Sequence, residues 1–291
     1  MTQQKNQKPA PLAAAGMALA TVFGAFIGSA QAAEPVLGRS YNWQMGMQAP
    51  VTSVKDFIDS FHNELLIIIT AITIFVLALL IYVMVRFRAS NNPVPSRTSH
   101  NTLIEIIWTF VPILILMVVA IPSFKLLYFE DRQVDADMTV KVTGHQWYWS
   151  YEYPDNGNFG FDSLMTQDAD LKNKELRLLE VDNHLVVPVN ATVRIQLASV
   201  DVLHAWMIPS FGVQRTAVPG RLNETWFKAE HEGTFYGQCT ELCGENHAYM
   251  PIAIDVVSKP VFDKWVADAK KKFAAVDAVP VRVAAASMAQ Q

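Results

Sequence analysis

The chain has only two cysteines in 291 residues, Cys239 and Cys243. A secreted scaffold held by several disulfides is therefore excluded, and any thiol chemistry must come from this one pair. Charge is scarce too: 23 Lys and Arg stand against 27 Asp and Glu, a net of −4 at pH 7. That balance is too weak and of the wrong sign for a nucleic-acid binder, so no nucleic-acid partner is expected. There is no C-x-x-C-H, so no haem is expected in this chain. No internal repeat is visible.

Apolar side chains are what the sequence has in quantity, at 51% of residues and a mean hydropathy of +0.18. They concentrate in three segments. In the first, Lys5 and Lys8 precede the small-residue apolar stretch Ala13 to Ile27, and Ala30-Gln31-Ala32 fits a cleavage site. Residues 1–32 thus read as a secretory signal peptide, with the mature chain starting near Ala33 and residues 33–64 preceding the first span. Leu65 to Val85 is uncharged and long enough to cross roughly 30 Å of hydrocarbon. Ile106 to Phe124 is a second such run, with Pro112 and Pro122 inside it, which membrane helices tolerate. The spans are set at 65–88 and 104–128. The loop between them, 89–103, and its border hold Arg86, Arg88 and Arg97 and no acid, which places it in the cytoplasm by the positive-inside rule. Both flanks then face the periplasm of a bacterial inner membrane, as a cleaved signal also requires.

From Met138 the pattern changes to short alternating segments. Thr192 to Leu197 puts Val193, Ile195 and Leu197 on one face. Thr139 to Thr143, His145 to Tyr153, Leu185 to Val189, Glu224 to Lys228, Gly233 to Gly237 and Ile252 to Val257 read as further strands. Turn signals such as Asp155-Asn156-Gly157 and Pro219-Gly220 separate them. Pro154 to Gly160 reads as a loop. The expectation for 138–258 is an all-β sandwich. Pro260 to Phe273 reads as a short amphipathic helix, and an Ala/Val-rich tail completes 259–291.

The chemistry gathers at the end of the β-region. Cys239, Cys243, His247 and Met250 fall within 12 residues, and His204 lies 35 residues upstream. A lone Cys pair in the periplasm reads first as a disulfide, and two Cys with two His can hold zinc. Thiolate, thioether and imidazole together on a β-sandwich point instead to copper. One copper needs only one cysteine, whereas two cysteines four residues apart can bridge two coppers.

This loop, together with Val202-Leu203-His204-Ala205-Trp206, resembles the dinuclear copper (CuA) centre of the haem–copper oxidase subunit II family. The aromatic stretch Gly144-His145-Gln146-Trp147-Tyr148-Trp149-Ser150-Tyr151-Glu152-Tyr153 and the segment Glu105 to Pro112 also resemble that family, over about residues 50 to 265. The resemblance implies two transmembrane helices followed by a cupredoxin-like sandwich, taking electrons from cytochrome c and passing them to subunit I for proton-coupled oxygen reduction. It implies that Cys239 and Cys243 bridge two coppers. His247 and the Glu241 carbonyl would complete one copper, His204 and Met250 the other. It further implies magnesium (or manganese) on the Glu241 side chain at the contact with subunit I, and association with subunits I and III and with lipid. Glu105 would stand at a proton-pathway entrance, Trp147 would receive the electron, and Glu152, Asp162 and Asp201 would dock cytochrome c. Residues 138–257 hold 15 Asp and Glu against 8 Lys and Arg, which suits a basic donor. Trp149 and Tyr151 read as core on one strand face shared with Trp147. The alternative is the copper domain of a nitrous oxide reductase-like enzyme, which is soluble and larger. A quinol oxidase subunit II would lack the copper ligands, and a copper carrier would need neither Glu105 nor the aromatic stretch.

Overall fold

A computed structural model describes residues 37–94 and 96–273. The expected signal peptide, its cleavage point and the tail beyond Phe273 lie outside those residues. Two long helices come first, α1 (Ser53–Arg86) and α2 (Thr102–Glu130). Thr52 caps α1 by accepting the Lys55 N–H at 3.1 Å, and Asn101 caps α2 by accepting the Ile104 N–H at 3.2 Å. At 1.5 Å per residue the 34 residues of α1 span about 51 Å, well beyond about 30 Å of hydrocarbon. The helix therefore starts a dozen residues before the apolar stretch, with Ser53 to Glu64 as a foot on the domain side. Both helices are long and apolar enough to cross a membrane, and Pro112 and Pro122 lie inside α2.

Among the described residues ten strands follow, in two five-stranded sheets. The first has the order β3 (Phe159–Ser163), β2 (Tyr148–Tyr153), β1 (Met138–His145), β5 (Thr192–Ser199), β8 (Asn223–Lys228). The second has the order β4 (Leu185–Pro188), β10 (Pro251–Val257), β9 (Gly233–Cys239), β6 (His204–Ile208), β7 (Val213–Ala217). Pairing is antiparallel except for β1 with β5 and β4 with β10. Alternation drives the layering: Val140 and Val142 of β1 and Val193, Ile195 and Leu197 of β5 are buried between the sheets. They meet Ile208, Phe235, Ile252 and Ile254 from the opposite sheet in one continuous core. Helix α3 (Lys259–Lys272) closes the end of this core. Its Trp265 ring lies 5.2 Å from Tyr153 and 5.8 Å from Phe159.

Two sequence readings need correction. His145 to Tyr153 is not one strand: His145 pairs with Tyr148, and Gln146-Trp147 form the two-residue turn between β1 and β2. Trp149 and Tyr151 keep the buried face, but Trp147 leaves it and stands half-buried in the turn. Phe159 and Gly160 belong to β3 rather than to a loop, because Phe159 and Phe161 bury their rings beside Tyr153.

The sandwich is fastened to the helical hairpin at two places. At the foot of α1, the Thr52 hydroxyl donates to the Phe211 carbonyl at 2.7 Å, and Val51 exchanges backbone bonds with Ser210 and Glu230. At the end of α2, the Trp226 indole N–H donates to the Glu130 carbonyl at 3.0 Å. Arg132 lies over the Phe129 and Trp226 rings, at 4.3 and 4.9 Å.

On the outer face of the second sheet the segment before β4 is pinned by His184. Its Nε2 lies 2.6 Å from Glu180, and its Nδ1 forms an off-axis ion pair with Asp255 at 3.0 Å. Burial alone would lower the His184 pKa, but the Asp255 and Glu180 carboxylates outweigh it and push the value up to about 9. Because the folded value lies above the unfolded one, this stabilisation is complete below about pH 6.5 and is lost as pH rises through 9. His184→Gln should therefore destabilise the detergent-solubilised chain by about 1–2 kcal/mol at pH 7 in urea unfolding, and by nothing at pH 10. A gap that persists undiminished at pH 10 would show that packing, not charge, explains His184.

Candidate metal centre

The site is made by strand pairing before any loop contributes. β6 and β9 run antiparallel with Trp206 opposite Cys239 and Met207 opposite Gln238. His204, first in β6, thus lies beside Cys239, last in β9, with Nδ1 at 3.9 Å from Sγ. After Cys239 the chain turns back, the Thr240 N–H bonded to the Ala205 carbonyl at 3.1 Å. The loop then delivers Cys243, the short helical turn His247–Tyr249, and Met250 immediately before β10.

Six soft or neutral donors meet there. The Cys239 and Cys243 sulfurs are 3.9 Å apart, almost twice the S–S length of about 2.05 Å in a disulfide. Cys243 Sγ lies 3.4 Å from His247 Nδ1 and 3.5 Å from Met250 Sδ. Cys239 Sγ lies 3.4 Å from the Glu241 carbonyl oxygen. A tetrahedral first-row ion with bonds of about 2.3 Å to sulfur and 2.0 Å to nitrogen holds its ligand atoms about 3.3–3.8 Å apart. The observed spacings of 3.4–3.9 Å lie within or just beyond that range, and six donors that include two shareable sulfurs suit two such ions. His204, Cys239 and Cys243 alone bring their donor atoms within 4.8 Å of one another, all three buried.

Electrostatics are asymmetric across the cysteine pair. Burial opposes ionisation of Cys239, yet hydrogen bonding to His204 brings its thiol below the ordinary value. Burial and then the neighbouring Cys239 charge push Cys243 up. Two thiolates side by side in a buried site need positive charge between them, and a bound metal supplies it.

Around the donors lies a hydrogen-bonded frame. Asp201 Oδ1 is 2.8 Å from His204 Nε2, and Asp201 Oδ2 accepts the Gln146 N–H at 2.7 Å. The Trp147 indole N–H and the Gln146 side-chain amide both donate to the Cys243 carbonyl, at 3.1 and 2.9 Å. The Trp149 indole N–H donates to the Met250 carbonyl at 3.2 Å. Gln146 and Trp149 were not singled out by the sequence as site residues, since their contacts are to backbone carbonyls far along the chain.

The remaining expected site residues sit apart. Glu152 on β2 is 3.6 Å from Lys141, and Asp162 on β3 accepts from the Ser150 hydroxyl at 2.6 Å. The Glu241 side chain is half-buried beside the site. Glu105 lies in the first turn of α2, where its carboxylate accepts the Asn101 N–H at 3.3 Å. That contact alone gives it a helix-capping role.

Comparison with known proteins matches both halves of the chain. Residues 40–126 match the family described as cytochrome c oxidase subunit II, transmembrane domain, and residues 138–257 the periplasmic domain of the same subunit. A probable cytochrome c oxidase subunit 2 of Rickettsia bellii is 53% identical over 229 residues, covering 79% of this chain and 85% of that protein. Cytochrome c oxidase subunit 2 of Phytophthora megasperma is 47% identical over 228 residues, covering 77% of this chain and 86% of that protein. The crystal structure of the periplasmic domain of cytochrome oxidase subunit II of Bradyrhizobium japonicum is 62% identical. It covers 48% of this chain and 99% of that chain, with a TM-score of 0.46. The match across the membrane segment is what a nitrous oxide reductase-like reading leaves unexplained. With two apolar helices, a β-sandwich and a His/Cys cluster that fits copper, the chain belongs to the cytochrome c oxidase subunit II family.

Proposed function

We propose that this chain is the subunit through which electrons from cytochrome c enter the oxidase, and that residues 204–250 hold both copper ions of its copper A centre. The observation that carries this reading is the convergence of four further donors on two unpaired sulfurs, six soft or neutral donors in all. When bound, a copper pair with shared thiolates accepts one electron spread over both metals, so its bonds change little on reduction. Cys239 and Cys243 would supply the thiolates for such a pair. The His204 ring and the Glu241 carbonyl lie near Cys239, and His247 and Met250 lie near Cys243, which supports a site able to hold both ions. By the family's pattern His247 and the Glu241 carbonyl would hold one copper, and His204 and Met250 the other.

The Glu241 carbonyl faces the Cys239 sulfur, which would leave its carboxylate for a hard ion, magnesium or manganese, at the contact with subunit I. Trp147 receives the electron: its indole is half-exposed and one hydrogen bond from the carbonyl of a bridging cysteine. Glu152 and Asp162 contribute negative charge for a basic cytochrome c. The sandwich faces the periplasm, with the arginine-bearing loop in the cytoplasm of a bacterial inner membrane, and subunits I and III cover the apolar helices together with lipid. Glu105 marks the proton entrance on the cytoplasmic side.

Three experiments test these roles. In the detergent-solubilised, copper-loaded chain, Cys239→Ser or Cys243→Ser should abolish the mixed-valence spectrum, while Met250→Leu should only shift potential or occupancy. An unaltered two-copper spectrum in Cys239→Ser would remove the ligand assignment. In the assembled oxidase, Trp147→Gln keeps a donor for the Cys243 carbonyl but loses the indole. Stopped-flow measurement should show electron uptake slowed by orders of magnitude, with copper spectrum and KM nearly unchanged, and a normal rate would mean another route. Glu105→Ala should slow turnover when proton delivery limits, yet leave cytochrome c oxidation by the copper site intact. Full activity under that limit would return Glu105 to a capping role.

A further inference from the structure

Asp201 was expected among the docking acids, but its carboxylate is already committed inward. Oδ1 lies 2.8 Å from His204 Nε2 and accepts the Val202 N–H at 2.6 Å. The Ser199 hydroxyl, which donates to the Val202 carbonyl at 2.5 Å, lies 3.3 Å from the same oxygen. Oδ2 accepts the Gln146 N–H at 2.7 Å. Both oxygens are therefore engaged, and the side chain is only 27% exposed.

The His204 ring is fixed from three directions. It is fully buried, its edge meets Trp149 at a 5.8 Å centroid distance, and Gly144 lies against its face. A Cβ at Gly144 would fall 2.9 Å from His204 Cδ2, so no side chain fits there. Packing alone leaves a flipped ring available, because an imidazole turned about its own axis fills nearly the same space. The Asp201 carboxylate removes that choice. It accepts only a proton-bearing nitrogen, so Nε2 carries the hydrogen and Nδ1, facing Cys239, presents its lone pair to a metal.

We propose that Asp201 is the positioning residue of the copper centre, orienting His204 toward the metal and tying that ligand to the Gln146-Trp147 turn. The inference rests on the copper assignment above. Through Asp201, the turn that receives the electron and the strand that bears His204 share one carboxylate, while Gln146 and Trp147 hold the Cys243 carbonyl on the other side. The turn is thus bonded to ligand-bearing segments at both ends. A residue that served docking alone would alter the KM for cytochrome c and leave the copper spectrum of the isolated chain untouched.

The experiment uses the full chain in detergent, loaded with copper, as wild type, Asp201→Ala and Asp201→Asn. Three quantities are read: the nitrogen hyperfine coupling of the histidine ligands by pulsed electron paramagnetic resonance, the reduction potential, and copper retention against a chelator. Asp201→Ala should change one of the two histidine couplings, shift the potential, and weaken copper retention about 10- to 100-fold. Asp201→Asn keeps an acceptor oxygen for Nε2–H without the charge, so it should recover the wild-type couplings. Wild-type couplings, potential and retention in Asp201→Ala would overturn the inference. So would an Asn variant as perturbed as the Ala variant, since charge rather than orientation would then be at work. A wild-type chain that takes up no copper would overturn the copper assignment itself, and this inference with it.

Discussion

Everything at the metal centre depends on how β6 lies against β9. Because side chains alternate along a strand, a slip of one residue would send His204 and Cys239 to opposite faces of the sheet. The register is held by burial on both sides of the contact, with Trp206, Ile208 and Phe235 inaccessible to solvent. It is also held by exclusion. A Cβ at Gly237 would lie 2.0 Å from the Met207 carbonyl oxygen, so the two strands approach to a distance only glycine permits. Sequence choices with no metal chemistry of their own thus decide where the metal chemistry happens.

The loop donors are handled differently. Cys243 and Met250 belong to no strand, and their positions are set through backbone carbonyls gripped by indole and amide N–H groups of the β1–β2 turn and β2. This divides labour between the two sheets. The second sheet carries His204 and Cys239, and the first reaches across to hold the loop that carries the rest. Aromatic residues serve both purposes, since an indole brings apolar surface for the core and one directional donor at its edge.

Much of this was legible in the chain. The apolar runs revealed the two helices, and the spacing of Cys239, Cys243, His247 and Met250 pointed to a donor cluster, because both depend on local pattern. The break after His145 was hidden: a two-residue hairpin usually announces itself with Asn-Gly or a similar pair, whereas Gln146-Trp147 looks like a continuing strand. β3 was missed because Gly157 and Asn158 extended the turn signal into Phe159, and β7 because Val213 to Ala217 has only its ends buried. The Asp201–His204 contact spans three residues and was within reach of the sequence, but an acid beside a metal loop reads equally well as surface charge. Only the direction of its oxygens separates the two meanings.

The two attachments between hairpin and sandwich have a mechanical meaning. A domain hung from one peptide linker could swivel, and its metals would sample a range of heights above the bilayer. Here Thr52 and Val51 grip the turn that follows β6, the strand bearing His204, while Trp226 and Arg132 clasp the end of α2 on the other sheet. Two grips on separate elements remove that swivel. Anchoring thus works as a ruler: the depth at which α1 and α2 settle in lipid sets the height of His204 and Cys239 above the bilayer.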